Sequence, residues 1–214
     1  MATSETQIAN MALAHLANGG QIAALTEKSK EARACTLFYE QCRDEVLGAF
    51  PWPFATRIEA LALVATDPTD EYGYSYRYPV NALSVWRIPS GVDRVGVRSC
   101  SPLDWRGAFP RVPIPYRIIS DAAGKLIYTD QPDASIEYTV RITNVTQFSA
   151  DFTAALALKL AGDIAPMVTG GDQFKLGERA IIRYQTAVAQ AQARAANEER
   201  QDPPPDSEFI TVRN

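Results

Sequence analysis

Residues 136–164, IEYTVRITNVTQFSADFTAALALKLAGDI, change hydrophobic period in mid-course. In Ile136-Glu137-Tyr138-Thr139-Val140-Arg141-Ile142 apolar and polar residues alternate, the pattern of a strand with one buried and one wet face. After Ser149 the apolar residues recur at helical steps. Phe152, Leu156, Leu160, Ile164 and Met167 make one stripe, which Pro166 and Gly170-Gly171 close. A β-region passing straight into a long amphipathic helix predicts an α+β chain.

Toward the N-terminus the β-pattern continues. Runs rich in Val, Ile and Tyr at 83–88, 116–120 and 125–129 join 136–143 as strands. Asp121-Ala122-Ala123-Gly124 is a hairpin turn with Gly124 suited to positive φ. No helix-length crossover separates these runs, so the region from about 57 to 146 is antiparallel. Its middle, 90–115, holds Gly91, Gly96, Gly107 and four prolines and reads as loop or edge strand.

Before that region come two helices. Thr3 or Ser4 caps the first, with Ile8, Met11, Ala12 and His15 or Leu16 on one face and Gly19-Gly20 as its stop. The second runs from Ser29 to about Gly48. Cys35, Phe38, Cys42 and Val46 form its stripe, with Leu37 and Leu47 beside it. Phe50-Pro51-Trp52-Pro53-Phe54 ends it, since two prolines cannot continue a helix, and its aromatics predict a buried corner at Trp52 and Phe54. Beyond the β-region, a last helix spans about 172–199 with Phe174, Ile181, Tyr184, Val188 and Ala191 on one side. Pro203-Pro204-Pro205 then holds an extended segment that ends in the strand-like Phe209-Ile210-Thr211-Val212-Arg213. The predicted fold is a helical bundle formed by the N- and C-terminal helices, an inserted antiparallel β-region and an extended C-terminal tail. The expected domains are 1–55 with 149–200 (helical), 56–148 (β) and 201–214 (tail). The stripes at Ile8/Met11 and Phe38/Val46 need partners, and Leu156/Leu160 and Ile181/Tyr184 are long enough to supply them.

Composition narrows the function. With 214 residues, 46% hydrophobic and 21% charged, the chain is globular in type. Lys+Arg number 21 against 25 Asp+Glu, net −4, which excludes a broad electrostatic grip on nucleic acid. The opening MATSETQ has no basic or apolar leader region, and Lys159 interrupts the longest apolar stretch, so the expectation is a soluble protein with no membrane partner. Cys35 and Cys42, seven apart on one helix, lie about 10 Å apart along its axis and cannot bridge. With Cys100 they make no metal spacing. His15, the single histidine, reads as a packed or surface residue of the first helix, so no Ser/His/Asp set is assigned, and one histidine cannot make an HExxH site. No Walker A pattern occurs, and Asp172 is placed to cap the helix after Gly170-Gly171 where an anion would otherwise sit. Asp67, Asp70 and Glu71, and Asp130 and Asp133, read as solvated turns around prolines. No catalytic residue, cofactor or metal is assigned. A hydrolase would require a buried carboxylate pair in a cleft.

Arginine is the informative residue: 16 Arg against 5 Lys. Arg77, Arg87, Arg94, Arg98, Arg106, Arg111 and Arg117 face only Asp93 and Asp104, making 77–117 a +5 stretch in an acidic chain. It is a candidate interface toward an acidic neighbour or a phosphate backbone, and a DNA-binding module using this stretch is the alternative reading. The second candidate is the tail, where Phe209, Ile210 and Val212 are apolar beyond any local partner and Arg213 is available for an acidic group.

A family resemblance runs through these same elements. Ile8-Ala9-Asn10-Met11-Ala12-Leu13, the span from Glu31-Ala32 to Glu45-Val46-Leu47, and Pro51-Trp52-Pro53-Phe54-Ala55 carry it in the first third. Leu126-Ile127-Tyr128-Thr129-Asp130, Tyr138-Thr139, Phe148 to Phe152, Ala155-Leu156-Ala157, Leu160-Ala161 and the terminal Phe209-Ile210-Thr211-Val212-Arg213 continue it. The chain resembles the bacteriophage head-to-tail adaptor family, the tail tubular protein A group of short-tailed phages. The resemblance implies a non-enzymatic structural subunit of the virion, made in the host cytoplasm. Such subunits form a ring, usually of twelve copies, below the portal protein, carry downstream tail proteins, and surround genomic DNA that passes without sequence-specific binding. Arg94, Arg98, Arg106, Arg111 and the tail residues are then expected at partner contacts.

Overall fold

The computed structural model describes residues 4–17, 20–89, 114–172 and 174–198. Among these the chain is mixed α+β, with four helices and two antiparallel sheets. In chain order they are α1 (Glu5–His15), α2 (Lys30–Ala49), β1 (Thr56–Ala60), β2 (Leu63–Thr69), β3 (Tyr72–Arg77), β4 (Ala82–Arg87), β5 (Tyr116–Asp121), β6 (Gly124–Thr129), β7 (Ser135–Val140), α3 (Ala150–Thr169) and α4 (Leu176–Glu198). One sheet has the order β1-β7-β4 and the other β2-β3-β6-β5. Two compact units result.

The first unit takes its described residues from Met1–Ile58, Pro79–Trp86 and Glu137–Ala196. Serine begins three of its helices: the hydroxyls of Ser4, Ser29 and Ser149 accept from the amides of Gln7, Ala32 and Phe152, satisfying N–H groups that a helix start leaves open. α3 packs against α1 and α2. The core joins Ile8, Ala12 and Leu13 of α1, Cys35, Cys42, Val46 and Leu47 of α2, and Phe152, Leu156, Leu160 and Ile164 of α3. Ala180 and Ala191 of α4 complete it, with Tyr184 and Val188 packed alongside. Trp52 is 2% exposed, its indole N–H donating to the Val46 carbonyl at 2.8 Å, and the half-buried Phe54 meets Phe148 and Phe152.

Several expectations for the helices change. α1 ends at His15, before the glycine pair, with Ala17 in a left-handed conformation. Met11 and Phe38 are only partly buried, because the closer-packed phase of each helix runs through Ala9 and Ala12, and through Cys35, Tyr39, Cys42 and Val46. Leu37 is 65% exposed, since two positions past Cys35 on a helix is about 200° around the axis. α3 runs through Pro166 instead of closing there, and Gly170 at φ 74° ends it. Pro166 cannot donate to the Gly162 carbonyl, and that oxygen lies 3.0 Å from where a Cβ on Gly177 would stand, so α3 and α4 cross backbone to backbone. α4 starts at Leu176, four residues later than expected. Left-handed Asp172 and Lys175 precede it, so Phe174 falls outside the helical stripe and is 75% exposed. α3 is also long and apolar enough to cross a membrane by length and composition alone despite Lys159, which corrects the apolar-stretch reading. The apolar residues of α3, among them Phe152, Leu156, Leu160 and Ile164, are buried in this unit's core.

The second unit draws on Glu59–Tyr78 and Arg87–Ile136. β5 and β6 form the expected hairpin with Asp121 opposite Gly124, whose φ is +131°. β3 pairs antiparallel with β6, Tyr76 facing Ile127, both buried. The Tyr76 hydroxyl donates to the Gln131 carbonyl at 2.8 Å, and the Thr129 hydroxyl to Pro115 at 3.0 Å. Strands β1, β2 and β3 were not separately expected. Asp67, read as a turn residue, lies inside β2 with φ 47° at an irregularity between Thr66 and Thr69, and Asp70-Glu71 make the turn into β3. Pro68 is tolerated because β2 is an outer strand.

Candidate functional site

The residues singled out as partner contacts, Arg94, Arg98, Arg106, Arg111, Phe209, Ile210, Val212 and Arg213, lie outside the described residues. The ends of the arginine-rich stretch are described, and there the charge is locally matched. The Arg77 guanidinium reaches Asp121 at 3.2 Å, and this bond holds the Asp121 carboxyl below its ordinary range. Arg117 meets Glu71 at 3.5 Å. Arg87 also has an interaction partner. The +5 count along the sequence therefore overstates the field that these residues present.

Between α2 and α3, the Cys42 thiol donates to Asp163 at 3.2 Å, and the Lys159 ammonium bridges Glu45 at 2.9 Å and Asp163 at 3.1 Å. Burial and the Asp163 hydrogen bond push the Cys42 thiol far up, and burial raises Cys35 to about 11, so both are thiols at neutral pH and poor nucleophiles. Arg43 and Arg141 both hold Asp44, at 3.0 and 2.9 Å. The Lys159 bridge to Glu45 and the Cys42–Asp163 bond tie α2 to α3, and the Arg141 bridge ties α2 to the residue after β7. His15 is half-buried on α1, and desolvation followed by the charge of Arg183 lowers its pKa. Asp172 accepts from the Leu176 and Gly177 amides at 2.7 and 3.0 Å, so its carboxylate fills the start of α4. Among the described residues no group of three His, Cys, Asp or Glu is arranged to hold a metal ion.

The connector between α1 and α2 offers a different kind of site. The Asn10 side chain donates to the Ile22 carbonyl at 3.0 Å and accepts from the Ile22 amide at 2.9 Å, clamping the connector to α1. The Thr36 hydroxyl donates to Leu25 at 2.9 Å, and Glu27 accepts from the Ala23 amide at 3.0 Å. Held this way, Leu25, Thr26, Glu27 and Lys28 face Arg33, Thr36 and Leu37 across an open groove of about 410 Å³. Its walls carry two exposed or half-exposed leucines. Among the described residues neither Lys28 nor Arg33 has an ion-pair partner. An apolar floor edged by unpaired cations suits an extended acidic and apolar peptide, not a reaction. The sequence reading misses it by placing Leu37 beside the apolar stripe of α2. The signal was the offset of Leu37 from the four-residue steps of Cys35, Cys42 and Val46.

Compared with models of known protein families and with curated proteins, the sequence has no match to either.

Proposed function

We propose that this chain is a structural virion protein, a head-to-tail adaptor subunit that forms a ring below the portal and connects capsid to tail. In this reading the N- and C-terminal helices make one bundle with the β-region inserted between them and the C-terminal segment extended to a neighbour. The observation that carries it is where the resembling residues fall. Ile8, Ala9, Ala12 and Leu13, then Val46 and Leu47, Trp52 and Ala55, and finally Phe152, Ala155, Leu156, Ala157, Leu160 and Ala161 are all buried and meet in one core. Motifs scattered over the sequence thus act together, which supports a shared architecture more strongly than any one of them.

Portal protein, other copies of the chain and downstream tail proteins are the proposed partners. Genomic DNA passes through the lumen. A net charge of −4 suits a wall along which DNA slides. The pairing of Arg77 and Arg117 with carboxylates weighs against the DNA-binding alternative.

Negative-stain electron microscopy of the purified chain, alone and mixed with portal rings of a short-tailed phage, tests this. Closed rings, free or seated on the portal, are expected. Monomers in both samples would overturn the reading. Tight DNA binding that weakens steeply with salt would favour the alternative.

A further inference from the structure

The groove between the α1–α2 connector and α2 has no occupant among the described residues, and the chain's own sequence contains a segment of matching chemistry. Residues 206–212, Asp206-Ser207-Glu208-Phe209-Ile210-Thr211-Val212, put two carboxylates directly before two large apolar residues. The groove puts Lys28 and Arg33 beside Leu25 and the 65%-exposed Leu37. Glu27, the one acid in the lining, is engaged with the Ala23 amide. We infer that the groove receives residues 206–212 of a second copy of this chain, with Phe209 and Ile210 against Leu25 and Leu37, and Asp206 and Glu208 toward Lys28 and Arg33. This names the copy-to-copy contact of the proposed ring and rests on that reading.

Geometry within the helical unit favours a second copy over the chain's own segment. α2 and α3 are antiparallel, since Cys42 and Glu45 meet Asp163 and Lys159 while Trp52, just past α2, meets Phe152 edge to face. Arg194 near the end of α4 pairs with Asp151 at the start of α3, so α4 ends beside the C-terminal end of α2. The groove lies at the opposite end, about 24 Å away along α2 from Arg33 to Ala49. Eleven residues from Glu198 to Phe209 reach about 36 Å when fully extended, so occupying the own groove would require the chain to double straight back, against Pro203-Pro204-Pro205.

The test uses full-length protein carrying Phe209→Asp and Ile210→Asp, so that its own segment does not compete, and a fluorescent peptide of residues 201–214 as probe. Saturable binding is expected, weakened by added salt and reduced about tenfold or more by Leu37→Glu. Lys28→Glu with Arg33→Glu should give a comparable loss and serves as the second variant if Leu37→Glu unfolds, which circular dichroism reports. Absence of binding, or binding that neither variant alters, overturns the inference. Mixing full-length Leu37→Glu with full-length Phe209→Asp, above the peptide Kd, leaves one intact groove and one intact segment. The pair should form heterodimers and stop there. Peptide binding without heterodimers would show that the segment, attached to its chain, does not enter the groove of a second copy, and would overturn the copy-to-copy assignment. Rings that form on the portal equally well with Leu37→Glu would overturn this contact while leaving the adaptor reading in place. Heterodimers from the mixed pair, with no rings on the portal from the wild-type chain, would do the reverse.

Discussion

Trp52 sits between two prolines, has its indole N–H bonded to the Val46 carbonyl, and meets the edges of Phe50 and Phe152 at 5.2 Å. Removing that ring empties a site that neighbouring aromatics cannot collapse into. Trp52→Ala is expected to lose about 3–5 kcal/mol in denaturant unfolding, and a loss below about 1 kcal/mol would refute the buried corner. Gly177 makes a second residue-scale case. A Cβ there would stand 2.7 Å from the Ala165 Cβ and 3.0 Å from the Gly162 carbonyl oxygen, both rigid neighbours. Gly177→Ala should therefore destabilise by about 1–3 kcal/mol although alanine is the better helix former. At Gly162 a Cβ would stand 2.3 Å from Ile181 Cδ1 and 2.6 Å from its Cγ1, so that β-branched side chain must leave its rotamer and Gly162→Ala should destabilise as well. A Gly177→Ala variant that melts at or above wild type would refute the backbone crossing. Trp52 was legible in the sequence because prolines and aromatics act locally. Gly177 was not, since its constraint comes from a helix facing it.

The element scale is governed by how α2 and α3 choose their register. Apolar residues that recur at steps of three and four offer more than one register in which apolar meets apolar, so the stripes alone specify the register weakly. Lys159 between Glu45 and Asp163 removes that freedom, since a slip would leave a half-buried ammonium without its carboxylates. Hydrogen bonds from Lys159 and then Gln41 hold the Glu45 carboxyl below its ordinary range. A carboxyl with a lowered folded pKa contributes stability above the unfolded value, about 4.3 for Glu, and loses it as pH falls through the folded one. Glu45→Gln is thus expected to melt below wild type at pH 7, with the difference closing below about pH 4. Glu45 is 43% exposed in its side chain, so solvent screens the bridge and the effect should be small. A difference independent of pH would mean that the charge is irrelevant. The serine caps and the Asp121–Gly124 hairpin were readable because each depends on four consecutive residues or fewer. Strands β1 to β3 were harder: β1 and β2 are exposed along most of their length, and the alternation that marks a strand is absent where no face is buried.

For the whole molecule, the proposed ring makes the C-terminal segment a piece of assembly. Ordering it costs on the order of 1–2 kcal/mol per residue, which a partner surface must offset. Deleting residues 203–214 should leave the thermal melting of the monomer nearly unchanged while abolishing ring formation on the portal. Wild-type assembly by the truncated chain would refute this. The sequence by itself determined the class of each long element: helices from apolar steps of three and four with serine caps, β-structure from alternation, breaks from proline and glycine. Those signals are short-range, since backbone sterics and first-turn hydrogen bonds involve only near neighbours. Only the tertiary structure decided which distant segments meet: β3 beside β6, β4 beside β7, α3 crossing α4 at Gly162 and Gly177. It also left Leu37 outside the core, at the edge of the connector groove. Pairing of that kind is set by total burial and chain closure over the whole length, and no local window of residues contains it.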